Sequence, residues 1–304
     1  MPGRSMNSCR ACSGPVSRAF ETRVLGRYNV TFWRCQSCDS LQSDPPYWLA
    51  EAYQAAIAAT DTGAAQRNLA CHSAIVAVAR TLKATGRFLD YGGGAGMVCR
   101  LLRDSGFDAY LSDRYADPVY ARGFTLDLDS VAPGELGVLS AIEVLEHFAN
   151  PAEDLGRLFG LRPRVLFATT IPYRGEGESW WYLTKHTGQH VFFYSLACLR
   201  HFARTYGYDY LGVGSFHVFS AVPLTRWQKA VLRALLSGLG LRVVRTWIAA
   251  TLGGRYCEAD SVALTREVTS GDALSTQSKS ASKSSTANEQ PRRITSPTDA
   301  RADL

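Results

Sequence analysis

Four cysteines stand in two matched pairs, Cys9-Arg-Ala-Cys12 and Cys35-Gln-Ser-Cys38, with 22 residues between the pairs. Two residues between thiols let one tight turn offer both sulfurs to a single ion. Two such turns complete a tetrahedral four-sulfur shell, which suits Zn²⁺ and leaves no open coordination position, so the ion would be structural. A lone C-x-x-C reads equally as a redox pair; the matched second pair argues against that here. The stretch Val24 to Trp33 between the pairs has the look of a β-hairpin, so residues 1–44 are expected to form a small zinc ribbon. Cys71, Cys99, Cys198 and Cys257 are isolated from one another in sequence and read as core residues.

A second chemical signal lies in Arg87-Phe-Leu-Asp-Tyr-Gly-Gly-Gly-Ala-Gly96. A short apolar strand ends in Asp90, a glycine turn follows, and Met97 to Ser105 has helical spacing with Val98, Leu101 and Leu102 apolar. Strand, loop and helix make the opening unit of a doubly wound α/β sheet, in which ligands bind at the carboxyl ends of the strands. A dinucleotide fingerprint, G-x-G-x-x-G, would need glycine where Met97 or Cys99 stands, so that ligand class does not fit. A further strand, Ala109 to Ser112, ends at Asp113. A carboxylate there offers two acceptor oxygens to a pair of ribose hydroxyls; the plainer alternative is a loop or cap residue.

The pattern Asp90, Gly92, Gly94, Gly96 resembles motif I of class I S-adenosylmethionine methyltransferases, whose loop holds the methionine portion of the cofactor. The resemblance continues through Val138-Leu-Ser-Ala-Ile-Glu-Val-Leu-Glu-His147 and Asn150-Pro151, similar to that family's fourth strand and the acidic segment after it. It implies that Asp127, in Leu126-Asp-Leu128, lies near adenine, that Glu143 sits by the cofactor, and that Glu146 and His147 open the next connection near the cleft. Gly188-Gln-His-Val-Phe-Phe-Tyr-Ser195 resembles a segment of deoxysugar C-methyltransferases, which also carry a cysteine-rich zinc region. There His190 matches a histidine of the active-site motif, while Gln189 stands where those enzymes have glutamate. Losing that carboxylate weakens the case for proton abstraction at carbon and favours O-methylation. Shorter bacterial methyltransferases of polysaccharide biosynthesis are similar at Trp48-Leu-x-x-x-Tyr53, Thr60-Asp-Thr-Gly63, Arg67-Asn68 and Gly188-Gln-His190.

A hydroxyl acceptor needs a base, and His190 and His147 are the candidates, since imidazole is neutral and basic near pH 7. The bland readings are a histidine near the cap of the helix that starts at Ser195, and an ordinary polar residue. Trp180, Trp181 and Tyr182 could stack on a sugar or form a plain hydrophobic lid.

The elements needed to hold these residues are an α/β domain of the Rossmann-like type over 86–268, a helical cap over 45–85, and a helical insertion at 224–254 ahead of a last strand, Ser261 to Thr265. From 269 to 304 the chain is Ser-, Thr-, Ala- and Lys-rich with few large apolar residues, which predicts disorder. A hydrophobic fraction of 46%, a charged fraction of 20% and a net charge of +6 describe an ordinary globular chain with no dense nucleic-acid arm. No apolar h-region opens the chain and no run of about 18 apolar residues interrupts it, which points to the cytoplasm, where paired cysteines favour metal. Arg226, Lys229 and Arg233 share one helical face that anionic lipid could meet, making peripheral membrane contact a possible partner alongside a small-molecule or glycan acceptor. Two other readings compete: an RNA methyltransferase that uses Arg10, Arg18, Arg23, Arg27 and Arg34 of the ribbon on RNA, and a binding module without catalysis.

Overall fold

The structure, a computed structural model, describes residues 8–53 and 62–270. Thr60 and Asp61 of the predicted motif, and the tail from residue 271 on, lie outside the described residues. Strand β1 (Val16–Val24) turns back into β2 (Tyr28–Cys35), followed by β3 (Leu41–Ser43), α1 (Leu49–Ala52) and the long α2 (Ala64–Leu82). The hairpin therefore begins eight residues earlier than the sequence suggested: Val24 ends its first strand. The α/β core runs β4 (Arg87–Tyr91), α3 (Met97–Asp104), β5 (Ala109–Ser112), β6 (Leu136–Ile142), α4 (Pro151–Gly160), β7 (Val165–Thr169), β8 (Phe192–Phe193), α5 (Leu196–Thr205), β9 (Asp209–Val213) and β10 (Phe216–Ser220). Three helices follow: α6 (Arg226–Leu235), α7 (Gly238–Thr251) and α8 (Cys257–Ser270).

The main sheet has the order β5-β4-β6-β7-β10-β9. The first four strands are parallel, and β10 runs antiparallel to both neighbours. A parallel bridge between Leu111 and Thr125 flanks β5, where a further edge strand would lie. Central strands β6 and β7 are buried at every residue, as strands covered on both faces must be. Alternation assigns the faces: Phe88, Val138 and Phe167 pack with α2, α3, α6 and α7, while Leu89, Leu139 and Leu166 pack with α4, α5 and the cysteine pairs. Both faces are covered, and the fold is a Rossmann-like doubly wound α/β sheet.

A smaller sheet, β1-β2-β3-β8, joins the N-terminal hairpin to the segment around His190 through the pairing Leu41↔Phe193 and Gln42↔Phe192. Beyond β10 the expectation fails. Ser261 to Thr265 is helical, within α8, so α6 and α7 follow the last strand and are not inserted before it. Ser-Val-Ala-Leu-Thr is too short a run for alternation to separate a period of 2 from one of 3.6.

Candidate functional site

The glycine loop sits where β4 ends and α3 begins. Gly92, Gly94 and Gly96 all have positive φ. At Gly96 (φ +84°) a Cβ would lie 2.6 Å from the Ala121 Cβ, so no other residue fits without movement. Sequence reading passed over Gly93, where a Cβ would approach Asp90 Oδ2 to 2.2 Å. Asp90 is buried. Its Oδ1 accepts from the Ser140 hydroxyl at 2.7 Å, and its Oδ2 is buried with no partner. Burial, with Asp113 adding to it, pushes the Asp90 carboxyl up to about 7. Asp113 Oδ2 accepts from the Gly94 N–H at 2.8 Å, and Oδ1 accepts from the N–H groups of Tyr115 and Ala116. The acid after β5 thus braces the glycine loop after β4. Asp127 is exposed and caps a short turn, accepting from the Asp129 N–H. Glu143, just past β6, has φ +52°, a conformation that costs energy for a side chain of its size. The Thr169 hydroxyl donates to its Oε1 at 2.7 Å.

A second cluster lies beside the loop. Glu146, His147 and His190 bring one ligand atom each within 4.8 Å of one another. Glu146 is fully buried; Tyr182 donates to its Oε1 at 2.6 Å, and Oε2 has no partner. His190 Nδ1 lies 2.7 Å from the Tyr182 carbonyl oxygen. A carbonyl only accepts, so Nδ1 carries the hydrogen and Nε2 keeps its lone pair, 3.9 Å from Glu146 Oε1. The His147 ring meets His190 edge-on at 4.9 Å, and its Nδ1 is 3.0 Å from the Tyr53 hydroxyl. Tyr53 in turn stacks on Tyr115, the residue that donates to Asp113. A continuous set of contacts therefore runs from the loop acid to the histidines. Burial drives Glu146 up to about 7, His190 down to about 4 and His147 down to about 3.

The sequence did not mark Tyr53 or Tyr182 as partners of this cluster. Of the aromatic trio, Tyr182 is buried within it, whereas Trp181 is exposed. His190 is not the cap of the following helix; Ser195 is, accepting from the Cys198 N–H. Gln189 is buried and donates to the Ala52 carbonyl at 2.8 Å, while Trp48 donates to the Gly188 carbonyl at 2.7 Å. These bonds moor the Gly188-Gln-His190 segment to α1.

Cys9, Cys12, Cys35 and Cys38 come together with their sulfurs within 4.8 Å of one another. Cys9 and Cys38 are 3.7 Å apart, and Cys12 and Cys35 are 3.6 Å apart. The N–H groups of Ala11, Ser37 and Cys38 point at the sulfurs of Cys9 and Cys35, an arrangement that favours thiolates. Cys198 is a buried core residue as expected, in the same apolar cluster as Cys9, Cys35 and Cys38. Cys257 departs from the expectation of a core residue, being exposed. Arg10, between the first two cysteines, is turned inward. Its guanidinium donates to the carbonyls of Val191 (2.7 Å) and Ala149 (3.0 Å), which follow His190 and His147. Burial lowers its pKa to about 10. Arg18, Arg27 and Arg34 pair with Glu21, Glu51 and Asp39. Four of the five arginines offered for RNA are thus engaged within the protein.

Comparison with known proteins fits this geometry. The family model of the Methyltransferase domain matches residues 64–213. No curated protein matches the chain. Among solved structures, magnesium protoporphyrin IX methyltransferase from Synechocystis is similar at 16% identity, with 57% of this chain and 94% of that one covered and a TM-score of 0.36. The 1,6-didemethyltoxoflavin-N1-methyltransferase of Burkholderia thailandensis is similar at 12% identity, with 66% and 97% covered and a TM-score of 0.44. The matched segment, with β4, the glycine loop and α3 near its start, is similar to the Methyltransferase domain family and holds the parallel strands of the Rossmann-like sheet.

Proposed function

We propose that the protein methylates a hydroxyl group on a sugar or glycan, with His190 as the base. The observation that carries this reading is the orientation of His190: Nδ1–H is fixed on a carbonyl, and the free lone pair of Nε2 faces a buried acid and a second histidine. The cofactor, when bound, supplies an activated methyl group and its own leaving group. An unpartnered buried acceptor, Asp90 Oδ2, and a loop walled by glycine fit a ligand bearing an ammonium group, and Asp113 would take ribose hydroxyls while bracing the loop. The protein's own tasks are to orient the acceptor and receive its proton. Nε2 takes the hydroxyl proton; Glu146 Oε1, 3.9 Å away, stabilises the imidazolium once ionised. A sugar acceptor rests on the resemblance of the Gly188–Ser195 segment. A screen of nucleotide sugars and glycans with labelled S-adenosylmethionine tests it; label transfer confined to RNA would overturn it.

Asp113→Ala is expected to weaken S-adenosylmethionine binding by about 1.5–3 kcal/mol, or roughly 10- to 150-fold, for lost charged hydrogen bonds. Calorimetry measures this, and unchanged affinity would take Asp113 out of the site.

The pH dependence follows from Glu146. Its raised pKa keeps it neutral below about pH 7, where it offers no counter-charge to the imidazolium. Turnover should therefore climb as pH rises through about 7, and Glu146→Gln should lower it and flatten the climb. Stability runs the other way. A carboxyl with a folded pKa above its unfolded value contributes fully below the unfolded pKa and loses that contribution as pH rises through about 7. Melting curves should accordingly show Glu146→Gln gaining on the parent protein between about pH 4.5 and 7. A constant gap across that range would contradict the assignment.

The two-histidine, one-carboxylate grouping favours a second reading, in which a divalent cation rather than a proton acceptor activates the hydroxyl. Turnover by zinc-replete protein that depends on added Mn²⁺ or Mg²⁺ would select it.

We also propose that the four cysteines hold Zn²⁺. Zinc–sulfur bonds of about 2.3 Å in a tetrahedron set sulfurs about 3.8 Å apart, close to the 3.6 Å between Cys12 and Cys35 and the 3.7 Å between Cys9 and Cys38.

A further inference from the structure

The methyltransferase reading leaves helices α6 and α7 without a task. Between residues 221 and 257 there are six cations (Arg226, Lys229, Arg233, Arg242, Arg245 and Arg255) and no Asp or Glu. Lys229, which the sequence placed on the basic face, is spent on Asp209 at 2.8 Å. Arg226, Arg233, Arg242 and Arg245 are exposed. In α7, Val244 and Ile248 are buried against the core beside α2. On the other side Leu239, Val243 and Trp247 recur every four residues and form one stripe. They are 73%, 59% and 43% exposed, and Trp227 of α6 is 69% exposed. Four large exposed apolar side chains on two adjoining helices whose exposed charges are all arginine are not a surface that water alone would favour.

We propose that this α6–α7 face docks on an anionic lipid surface. The tryptophans and the Leu-Val stripe would enter the headgroup boundary, and the arginines would meet lipid phosphates. Charge selects this occupant. A second copy of the chain would set arginine against arginine across the contact, and an RNA would leave the apolar stripe without a partner. No helix among the described residues is long and apolar enough to cross a membrane, so the mode is attachment in the plane of the interface.

The test is co-sedimentation of the full chain with phosphatidylcholine vesicles, with and without phosphatidylglycerol. Binding should require phosphatidylglycerol and weaken as salt is raised. Arg242→Gln with Arg245→Gln, and separately Trp227→Ser with Trp247→Ser, should each lower vesicle affinity about tenfold or more. All four side chains are exposed and outside the methyl-transfer site, so cofactor affinity measured on the same preparations should stay unchanged and certify the fold. Equal binding to both vesicle types would overturn the proposal. So would binding unaffected by either pair of substitutions, retention on RNA but not on vesicles, or self-association that Trp227→Ser with Trp247→Ser abolishes in the absence of any vesicle binding.

Discussion

Replacing His190 by alanine is expected to lower kcat by about 10²- to 10⁴-fold while S-adenosylmethionine affinity stays nearly unchanged. An aligned base acts on the acceptor proton in the transition state, so its loss falls on kcat rather than on cofactor binding. Burial lowers the His190 pKa to about 4, so the ring is neutral at working pH, and its taking a proton depends on the Glu146 carboxylate 3.9 Å away to stabilise the imidazolium. His190→Asn is the sharper variant. It retains a donor for the Tyr182 carbonyl, the bond that orients the ring, but removes the lone pair that faces Glu146. Asparagine should therefore fold as the parent does and still fail in turnover. If either variant loses less than about tenfold, His190 is a positioning residue and the proton goes elsewhere, with His147 the next candidate.

The second large effect is expected from the cysteine cluster. Cys35→Ser, or treatment with a strong chelator, should eliminate the proposed zinc ion and greatly lower the melting temperature. Structural zinc contributes on the order of 10 kcal/mol to the folding of small four-ligand modules, and four crowded thiols without a cation repel one another if ionised. The loss should also reach the methyl-transfer site. Arg10 lies between two of the cysteines and holds the carbonyls of Val191 and Ala149, so freeing the knuckle releases the segments that carry His190 and His147. Metal analysis after purification without added zinc, set beside turnover, checks both parts. Equal and negligible zinc in the parent and in Cys35→Ser would sink the zinc assignment; full turnover with the zinc removed would sink the coupling.

Local chemistry in this chain was legible and long-range chemistry was not. The strand, glycine turn and helix from Arg87 to Asp104 occupy consecutive residues, and the spacing of Asp90, Gly92, Gly94 and Gly96 announces them. The cysteine pairs are likewise self-declaring. Gly93 escaped notice because its constraint is a carboxylate three residues back, not a positive φ. Tyr53 reaches His147 across 94 residues, and Tyr182 reaches Glu146 across 36. No periodicity encodes such meetings; the sheet order creates them. Arg10 misled for the same reason, since its sequence neighbours suggested an exposed basic face and only the pairing of β3 with β8 turns it inward. Ser261 to Thr265 read as a strand because five residues carry too little pattern to exclude a helix.

The central claim is that the loop from Asp90 to Gly96 together with Asp113 binds S-adenosylmethionine, and isothermal titration calorimetry on the full chain tests it most directly. The prediction is saturable binding at one site per chain, competed by S-adenosylhomocysteine and abolished by Gly93→Val, whose side chain would collide with the Asp90 carboxylate, in a protein whose circular dichroism remains that of the parent. No binding by the folded parent chain, or binding that Gly93→Val leaves intact, would contradict it.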